Sequence, residues 1–470
     1  MLTTDSTSRN RWLWPLALFS LTMFALALRW YYVSTALVYH PVRGDATQYY
    51  AYAWNLVHHG TFSKDAPGAA IITPDNYRDP GYPLFLALWM KALGTGDAWY
   101  AAVLLCQAML GALTVTVVTQ LGRFWLTPRW AIGAGVLMAV WPHSIVITSF
   151  LLTETQFGFL CALGLLAIAQ ACQRRSLWLA AIGGLVLGSA ALTNAVLLPF
   201  GILLSVFMAW RKLAAKNICV ALAAGALFLP GAWAIRNIRV SNPTSGNSSM
   251  DRALQNLAQG ASPDYHAAYR DTIFGDAKAR VDSRAKLRAI DQEYELLRTS
   301  PADGFSAILH RAAKHPARFA AWYLLEKPYA LWGWSILIGQ GDIYVYPTMN
   351  SPFKTQRPWI ALEAICQSLN LPLMLLTLAS LLVAWSSRRS SVAWSTQAGE
   401  ATLVMMISLV VFATLVYTAL QAEPRYSIPF RPFEMLLALT TLAGFTRWWQ
   451  ERRHSVGRPT PSPLPTTQHE

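Results

Sequence analysis

Apolar runs of about twenty residues recur along this chain between short polar connections, and no other feature restricts the fold as strongly. At about 1.5 Å of rise per residue, a helix of roughly 20 apolar residues matches the hydrocarbon thickness of a bilayer. Such runs lie at Leu13–Tyr32, Tyr100–Leu121, Trp130–Phe150, Gln156–Ala171, Ile218–Ile235, Trp359–Trp385, Ala401–Leu420 and Ile428–Phe445. The stretch Leu177–Trp210 is too long for one crossing, and Thr193-Asn194 at its middle divides it into two short spans. About ten crossings follow. Only 13% of the 470 residues are charged, against roughly 25% in a soluble domain. With 54% hydrophobic residues, the chain has too little polar surface to cover a soluble core. The expected fold is an all-α polytopic membrane protein.

The ionisable residues give the orientation. Arg9/Arg11, Arg123/Arg129, Arg174/Arg175, Arg211/Lys212/Lys216, Arg388/Arg389 and Arg447/Arg452/Arg453 occupy alternate connections. The bias of Lys and Arg toward the cytoplasm makes that set internal. Asp45, Asp65, Asp75, Asp79, Asp97, Glu154, the acids of 251–303 and Glu423 fall in the other set. A formal charge of +14 is thereby explained by membrane orientation rather than by nucleic acid. Abundant Trp (20) and Tyr (18) suit the two bilayer interfaces. The first apolar run has a signal-peptide look, with Ala25-Leu26-Ala27 as a cleavage-like site, yet it continues to Tyr32 and is read as an uncleaved span.

Five regions follow: a cytoplasmic N-terminus (1–12), a transmembrane module (13–238) with a first outer loop (36–99), a long outer helical loop (239–358), C-terminal spans (359–446), and a Pro-rich disordered cytoplasmic tail (447–470). Two apolar stretches, Tyr82–Leu93 with Lys91 and Phe319–Ile338 with Glu326-Lys327-Pro328, are read as interfacial or re-entrant helices. In the outer loop, Leu287, Ile290, Tyr294 and Leu297 recur at helical spacing, and Ser300-Pro301 with Asp303 predicts a capping box. A small helical cap on the bundle is expected. Cys106, Cys161, Cys172, Cys219 and Cys366 are scattered in or beside apolar runs, so neither a zinc site nor a disulfide framework is indicated.

Four outer segments hold residues suited to chemistry. In Arg43-Gly44-Asp45-Ala46-Thr47-Gln48-Tyr49, Asp45 fits a helix N-cap, with Gln48 completing a capping box and Gly60 ending the helix. A carboxylate so placed can also act as a general base. Tyr77-Arg78-Asp79-Pro80-Gly81-Tyr82-Pro83 fixes a tight turn, and Arg78 beside it suits a phosphate or carboxylate. Leu152-Thr153-Glu154-Thr155 puts a carboxylate at a span's outer mouth, which costs energy unless the group is partnered or used. Glu423-Pro424-Arg425-Tyr426 places an Arg fork beside a phenol. His58, His59 and His143 lack a metal-binding spacing.

These pieces, in this order and on one side of the membrane, resemble the GT-C superfamily of membrane glycosyltransferases. The nearest group is the protein mannosyltransferase-like one that includes aminoarabinose transferases. Trp233-Ala234-Ile235-Arg236-Asn237 and the Pro-Arg-Tyr near Pro429 add to the likeness. The resemblance implies an inverting transfer of a sugar from a polyprenyl-phosphate donor to a glycolipid, glycan or protein hydroxyl, outside the cytoplasm of a bacterial inner membrane. Asp45 and Glu154 would be the catalytic acids, with Arg78, Arg425 and Tyr426 on the donor phosphate. Tyr49, Asp79, Tyr82 and Glu423 are pocket candidates. No cofactor is required, and a divalent metal is possible but not indicated. Two departures stand out: Asn194-Ala195 where Arg-Pro is common in the group, and no large soluble domain. The alternative is a transporter or flippase of lipid-linked sugars, which predicts inverted repeats and mid-membrane charges. No repeat is visible, and Glu363 and Glu434 are the only acids placed inside spans.

The alternation of charge predicts a topology. Reporters fused after Asp65 and within 264–303 should read as extracytoplasmic, and a fusion after Arg175 as cytoplasmic. A cytoplasmic signal from the 264–303 region would invert the whole assignment.

Overall fold

Backbone inside a bilayer finds no water, so apolar segments close their hydrogen bonds as helices. The computed structural model, which describes residues 6–240, 248–386 and 396–456, is built almost wholly from them. Arg388, Arg389 and the Pro-rich tail beyond Val456 lie outside the described residues. Among the described residues, six helices are long and apolar enough to cross a membrane: Leu13–Thr35, Asp97–Gly122, Glu154–Arg174, Lys216–Val240, Arg357–Leu381 and Gln397–Ala419. The chain is an integral membrane protein.

The other expected crossings are less regular. Trp130–Phe150 is not one rod, because Pro128–Val140 and Pro142–Ser149 meet at 61°. Pro142 disfavours helix at the residue before it and has no N–H to donate. Trp141 is accordingly extended, with φ −67° and ψ 119°. This bent pair passes as a seventh span. Leu177–Trp210 breaks where the sequence suggests. Leu177–Thr193 ends at Asn194, which is extended, and a 3₁₀ turn at Ala195–Leu197 precedes Phe200–Trp210. Both pieces are short for a crossing. The last helix, Arg431–Val456, holds a buried Arg431–Glu434 ion pair at 2.9 Å. Arg431 also donates to the Trp332 and Gly333 carbonyls, so its charge is satisfied within the bundle. The count of ten therefore depends on these three helices, beyond the seven that length and composition mark.

In lipid, close backbone approach does much of the work of helix association. Leu177–Thr193 packs on Lys216–Val240 in that way. A Cβ on Gly184 would fall 2.2 Å from the Leu222 carbonyl oxygen, and one on Gly225 would fall 2.2 Å from that of Ala181. All five cysteines are free and at least partly buried.

Asp45–His59 and Gly81–Leu93 lie between the first two long helices, the second of them only 13 residues long. The Phe319–Ile338 stretch is not one regular helix: Pro316–Ala321 passes through a π turn at Trp322–Glu326 into Lys327–Leu331. Ser249–Gly260, Tyr265–Phe274, Ala277–Thr299 and Pro301–Lys314 gather on Ala258, Tyr265, Ile290 and Leu297, and this helical group is called the cap. One detail differs from expectation. The Ser300 hydroxyl donates to the Asp303 carboxylate at 2.5 Å and makes no bond to the helix backbone, so the capping box does not form.

The cap is held to the bundle at Gly260. Its carbonyl accepts from the Trp322 indole and from the buried Lys327 ammonium, both at 3.0 Å. Lys327 also donates to the Leu420 carbonyl at 2.7 Å. A Cβ on Gly260 would lie 1.6 Å from that same oxygen. Gly260→Ala should therefore force the cap off its seat at a cost of about 1–3 kcal/mol. Limited proteolysis should then cut the cap much faster while the spans stay protected; unchanged protection would show that the backbone yields without loss of docking.

Candidate functional site

The chain enters the Asp45–His59 helix through a fixed approach. Leu37–Val38 pairs antiparallel with Thr348–Met349, Leu37 opposite Met349 and Val38 opposite Thr348. The Tyr346 hydroxyl donates to the Arg43 carbonyl at 3.0 Å. Gly44 sits at φ 54°, where a side chain would be strained, and a Cβ there would also press on the Tyr346 hydroxyl at 3.1 Å. Gly44 is the N-cap residue and Asp45 the first residue of the helix. The expected capping by Asp45 is thus not found, although Gly60 ends the helix as expected with φ 62°.

Long-range charge takes the carboxylate instead. Asp45 Oδ1 accepts from Arg78 Nη2 at 2.6 Å, and Oδ2 from Arg425 Nη2 at 2.9 Å. Arg425 also places Nε 3.2 Å from Glu154 Oε1. Arg78, Asp45, Arg425 and Glu154 therefore alternate in sign along one chain of contacts. Burial alone pushes the Asp45 carboxyl up, but Arg78 and then Arg425 outweigh it and hold the group well below the usual carboxylate range. Glu154 Oε2 is buried with no hydrogen-bond partner among the described residues.

Each member is set by its neighbours. Arg78 Nε donates to Gln48 Oε1 at 2.6 Å, and the guanidinium lies over the Tyr49 ring at 5.1 Å. Asp79 accepts from the Ala195 amide at 3.1 Å and from Arg252 of the cap at 2.7 Å. The turn after it docks on the helix break: a Cβ on Gly81 would meet Thr193 Oγ1 at 2.4 Å. Asn194-Ala195 therefore receives the Arg78-Asp79-Pro80-Gly81 turn and fixes Arg78. Arg425 lies against the Tyr426 ring, which stacks on Tyr417 at 5.1 Å and 16°.

A cavity of about 640 Å³ opens over this charge chain, between the bundle and the cap. Asp45, Tyr49, Arg78, Asp79, Glu154, Glu423, Arg425 and Tyr426 all line it. Tyr82 does not. It is fully buried and donates to Gln107 at 2.8 Å, inside the packing. Residues beyond the sequence reading also line the cavity, notably Arg252, Tyr346, Tyr417 and Gln421. Arg252 carried a usable signal, since it begins a polar stripe on an amphipathic cap helix. Tyr346 and Tyr417 carried none, lying in aromatic-rich stretches of the kind found throughout the chain. Among the described residues no group of three His, Cys, Asp or Glu could hold a metal. His58 and His59 are exposed, and His143 is buried with Nε2 2.7 Å from the Trp334 carbonyl oxygen.

Glu423 lines the cavity, yet its oxygens are already engaged. Oε1 accepts from the Leu337 and Ile338 amides at 2.8 and 3.2 Å, and Oε2 from the Arg425 amide at 2.8 Å. It ties the 337–338 turn to the loop that presents Arg425. Leaving such buried donors unpaired costs about 1–3 kcal/mol each. Glu423→Ala should lower the melting temperature clearly in detergent, and Glu423→Gln, which keeps acceptor capacity on one oxygen, should lower it less. Equal, small effects from both would reduce Glu423 to a cavity-wall residue.

No protein-family model matches the chain. No curated protein matches it either. Solved structures do. The archaeal oligosaccharyltransferase AglB from Archaeoglobus fulgidus, in complex with an inhibitory peptide and a dolichol-phosphate, aligns at TM-score 0.51 and 16% identity, over 97% of this chain and 53% of that one. The apo form of the Archaeoglobus fulgidus oligosaccharyltransferase aligns at 0.51 and 14%, over 96% and 53%. ArnT from Cupriavidus metallidurans, bound to undecaprenyl phosphate, aligns at 0.39 and 14%, over 95% and 81%. The chain spans about half the length of the archaeal proteins, and the likeness to them is one of fold: a polytopic helical membrane architecture.

Proposed function

We propose that this protein is a membrane glycosyltransferase of the GT-C type, moving a sugar from a polyprenyl-phosphate donor to an acceptor hydroxyl at the extracytoplasmic face of a bacterial inner membrane. The observation that carries the reading is Asp45, held between two arginines at the floor of a sizeable cavity. The dolichol-phosphate bound to the archaeal oligosaccharyltransferase of the same fold is consistent with a lipid-phosphate donor.

The residues divide the chemistry between them. An acceptor hydroxyl is a poor nucleophile at neutral pH, so a carboxylate must take its proton as oxygen bonds to C1 of the sugar. Asp45 takes that proton. The bond from C1 to the donor oxygen breaks with its electron pair on the leaving phosphate, which is already an anion and needs cations rather than an acid. Arg78 and Arg425 supply them. Attack opposite to the leaving group inverts the anomeric centre. Glu154 orients Arg425, and Asp79 with Asn194-Ala195 orients Arg78.

In the resting site Asp45 occupies both guanidiniums, which makes it a weak base. A donor phosphate competes for the same guanidiniums, and the Asp45 carboxyl then rises toward its ordinary value of about 3.9. The base gains strength when the donor arrives. The sign follows: the acid limb of kcat, which reports the bound complex, should lie at higher pH than that of kcat/KM, which reports the free enzyme.

Substitution separates base from clamp. Asp45→Asn should cost roughly 10²–10⁴-fold in turnover while binding undecaprenyl phosphate more tightly, because both arginines are released. Arg425→Ala should weaken binding and turnover together. A near wild-type rate in Asp45→Asn would move the base to Glu154.

A further inference from the structure

The roof of the cavity is chemically unlike its floor. Helix Ser249–Gly260 has two faces: Leu254, Leu257 and Ala258 pack into the cap core, while Arg252, Gln255, Asn256 and Gln259 line the cavity. Arg252 is already paired with Asp79, and Gln255 accepts from the Tyr77 hydroxyl at 3.3 Å. The Asn256 and Gln259 carboxamides and the Tyr269 hydroxyl, also on this wall, make no side-chain hydrogen bond among the described residues. These groups are only partly buried, so their donors and acceptors face the cavity uncommitted to the protein and open to a ligand in place of water.

We infer that this roof, centred on Asn256, Gln259 and Tyr269, is the acceptor subsite and that it takes an uncharged glycan. The inference rests on the transfer reading above and names its acceptor class. Carboxamides and phenols each donate and accept, as sugar hydroxyls do, so the two sets pair without leaving a charge buried. Sugar rings also present C–H faces that pack on aromatic planes, and the stacked Tyr417–Tyr426 pair lines the same cavity. An anionic acceptor would need a free cation on the roof, and Arg252 is neutralised there. A peptide acceptor would favour a free strand edge for its backbone, whereas Asn256, Gln259 and Tyr269 on the roof are helix side chains. The volume of about 640 Å³ lies within the range of pockets that enclose small ligands, leaving room for donor and acceptor sugars together.

The test uses the full-length chain in detergent, probed on arrays of neutral oligosaccharides, acidic oligosaccharides and unmodified peptides, with undecaprenyl phosphate binding measured in parallel. Neutral oligosaccharides should bind preferentially. The pair Asn256→Ala with Gln259→Ala should weaken the best of them by roughly tenfold or more, as expected for two lost hydrogen bonds. Undecaprenyl phosphate binding should be unchanged in that variant. The similarly sized apolar pair Asn256→Leu with Gln259→Met, which removes the hydrogen-bonding groups without adding charge, should show the same selective loss. Preference for peptides or acidic glycans, or neutral-glycan binding indifferent to both variants, would overturn the acceptor assignment. Retained glycan binding together with undecaprenyl phosphate binding that ignores Arg425→Ala would instead sink the transfer reading and leave a glycan-binding roof.

Discussion

One carboxylate shared by two guanidiniums organises the cavity of this protein. Asp45 and Arg425 are 380 positions apart, and Asp45 and Arg78 are 33 apart, yet both pairs close within 3 Å. In partly buried surroundings an ion pair is worth keeping only when its geometry is good and its remaining donors are met. The scaffold meets that condition from several sides. Glu423 ties down the loop that presents Arg425, Gln48 and Tyr49 hold Arg78, and Gly44 with Tyr346 aims the start of the Asp45 helix. The side chain of Asp45 keeps 28% of its surface open, on the side facing the cavity.

The same constraint explains what was legible in the sequence. Apolar length is a property of each segment by itself, so the long helices and the division at Thr193-Asn194 could be read directly. The resemblance to the GT-C superfamily grouped Asp45, Arg78, Glu154 and Arg425, and the fold joins them in one chain of contacts. Local rules failed where distant partners outbid them. Asp45 has the sequence of a capping residue, but two arginines from elsewhere offer its oxygens more than a backbone amide does. Ser300 likewise gives its hydroxyl to the Asp303 carboxylate rather than to the helix. At Trp141-Pro142 the run of apolar residues concealed a bend, because hydropathy counts composition and is blind to a missing N–H.

Tyr82 and Arg252 show the two limits of motif reading. Tyr82 stands inside the Arg78–Pro83 segment and opens the helix that follows it, which turns it into the packing beside Gln107. Arg252 belongs to no motif and reaches the site only because the cap folds over the bundle. Its position depends on Gly260 fitting against Leu420, a contact made by the absence of a side chain. Sequence patterns mark residues that must be present; they say little where an absent Cβ decides the geometry.

If Asp45 is the base, as proposed, the electrostatic arrangement also bears on why it should be stored in a suppressed state. A carboxylate left free beside a membrane cavity would attract cations and, as a stronger base, would stand ready before any donor was bound. Pairing with two arginines removes both tendencies, and it also prepays the desolvation of the cations that the donor phosphate needs. When a phosphate displaces the carboxylate, the charge chain does not break, since Arg425 keeps Glu154 and Arg78 keeps Gln48 and Tyr49. Each unit by which the Asp45 carboxyl then rises is worth about 1.4 kcal/mol of basicity. On the proposed function, binding energy from the phosphate would in this way be carried to the carboxylate with no moving domain, through the sharing of two guanidiniums. The unpaired Oε2 of Glu154 stands at the end of that chain, one more acceptor facing Arg425 once Asp45 has let go.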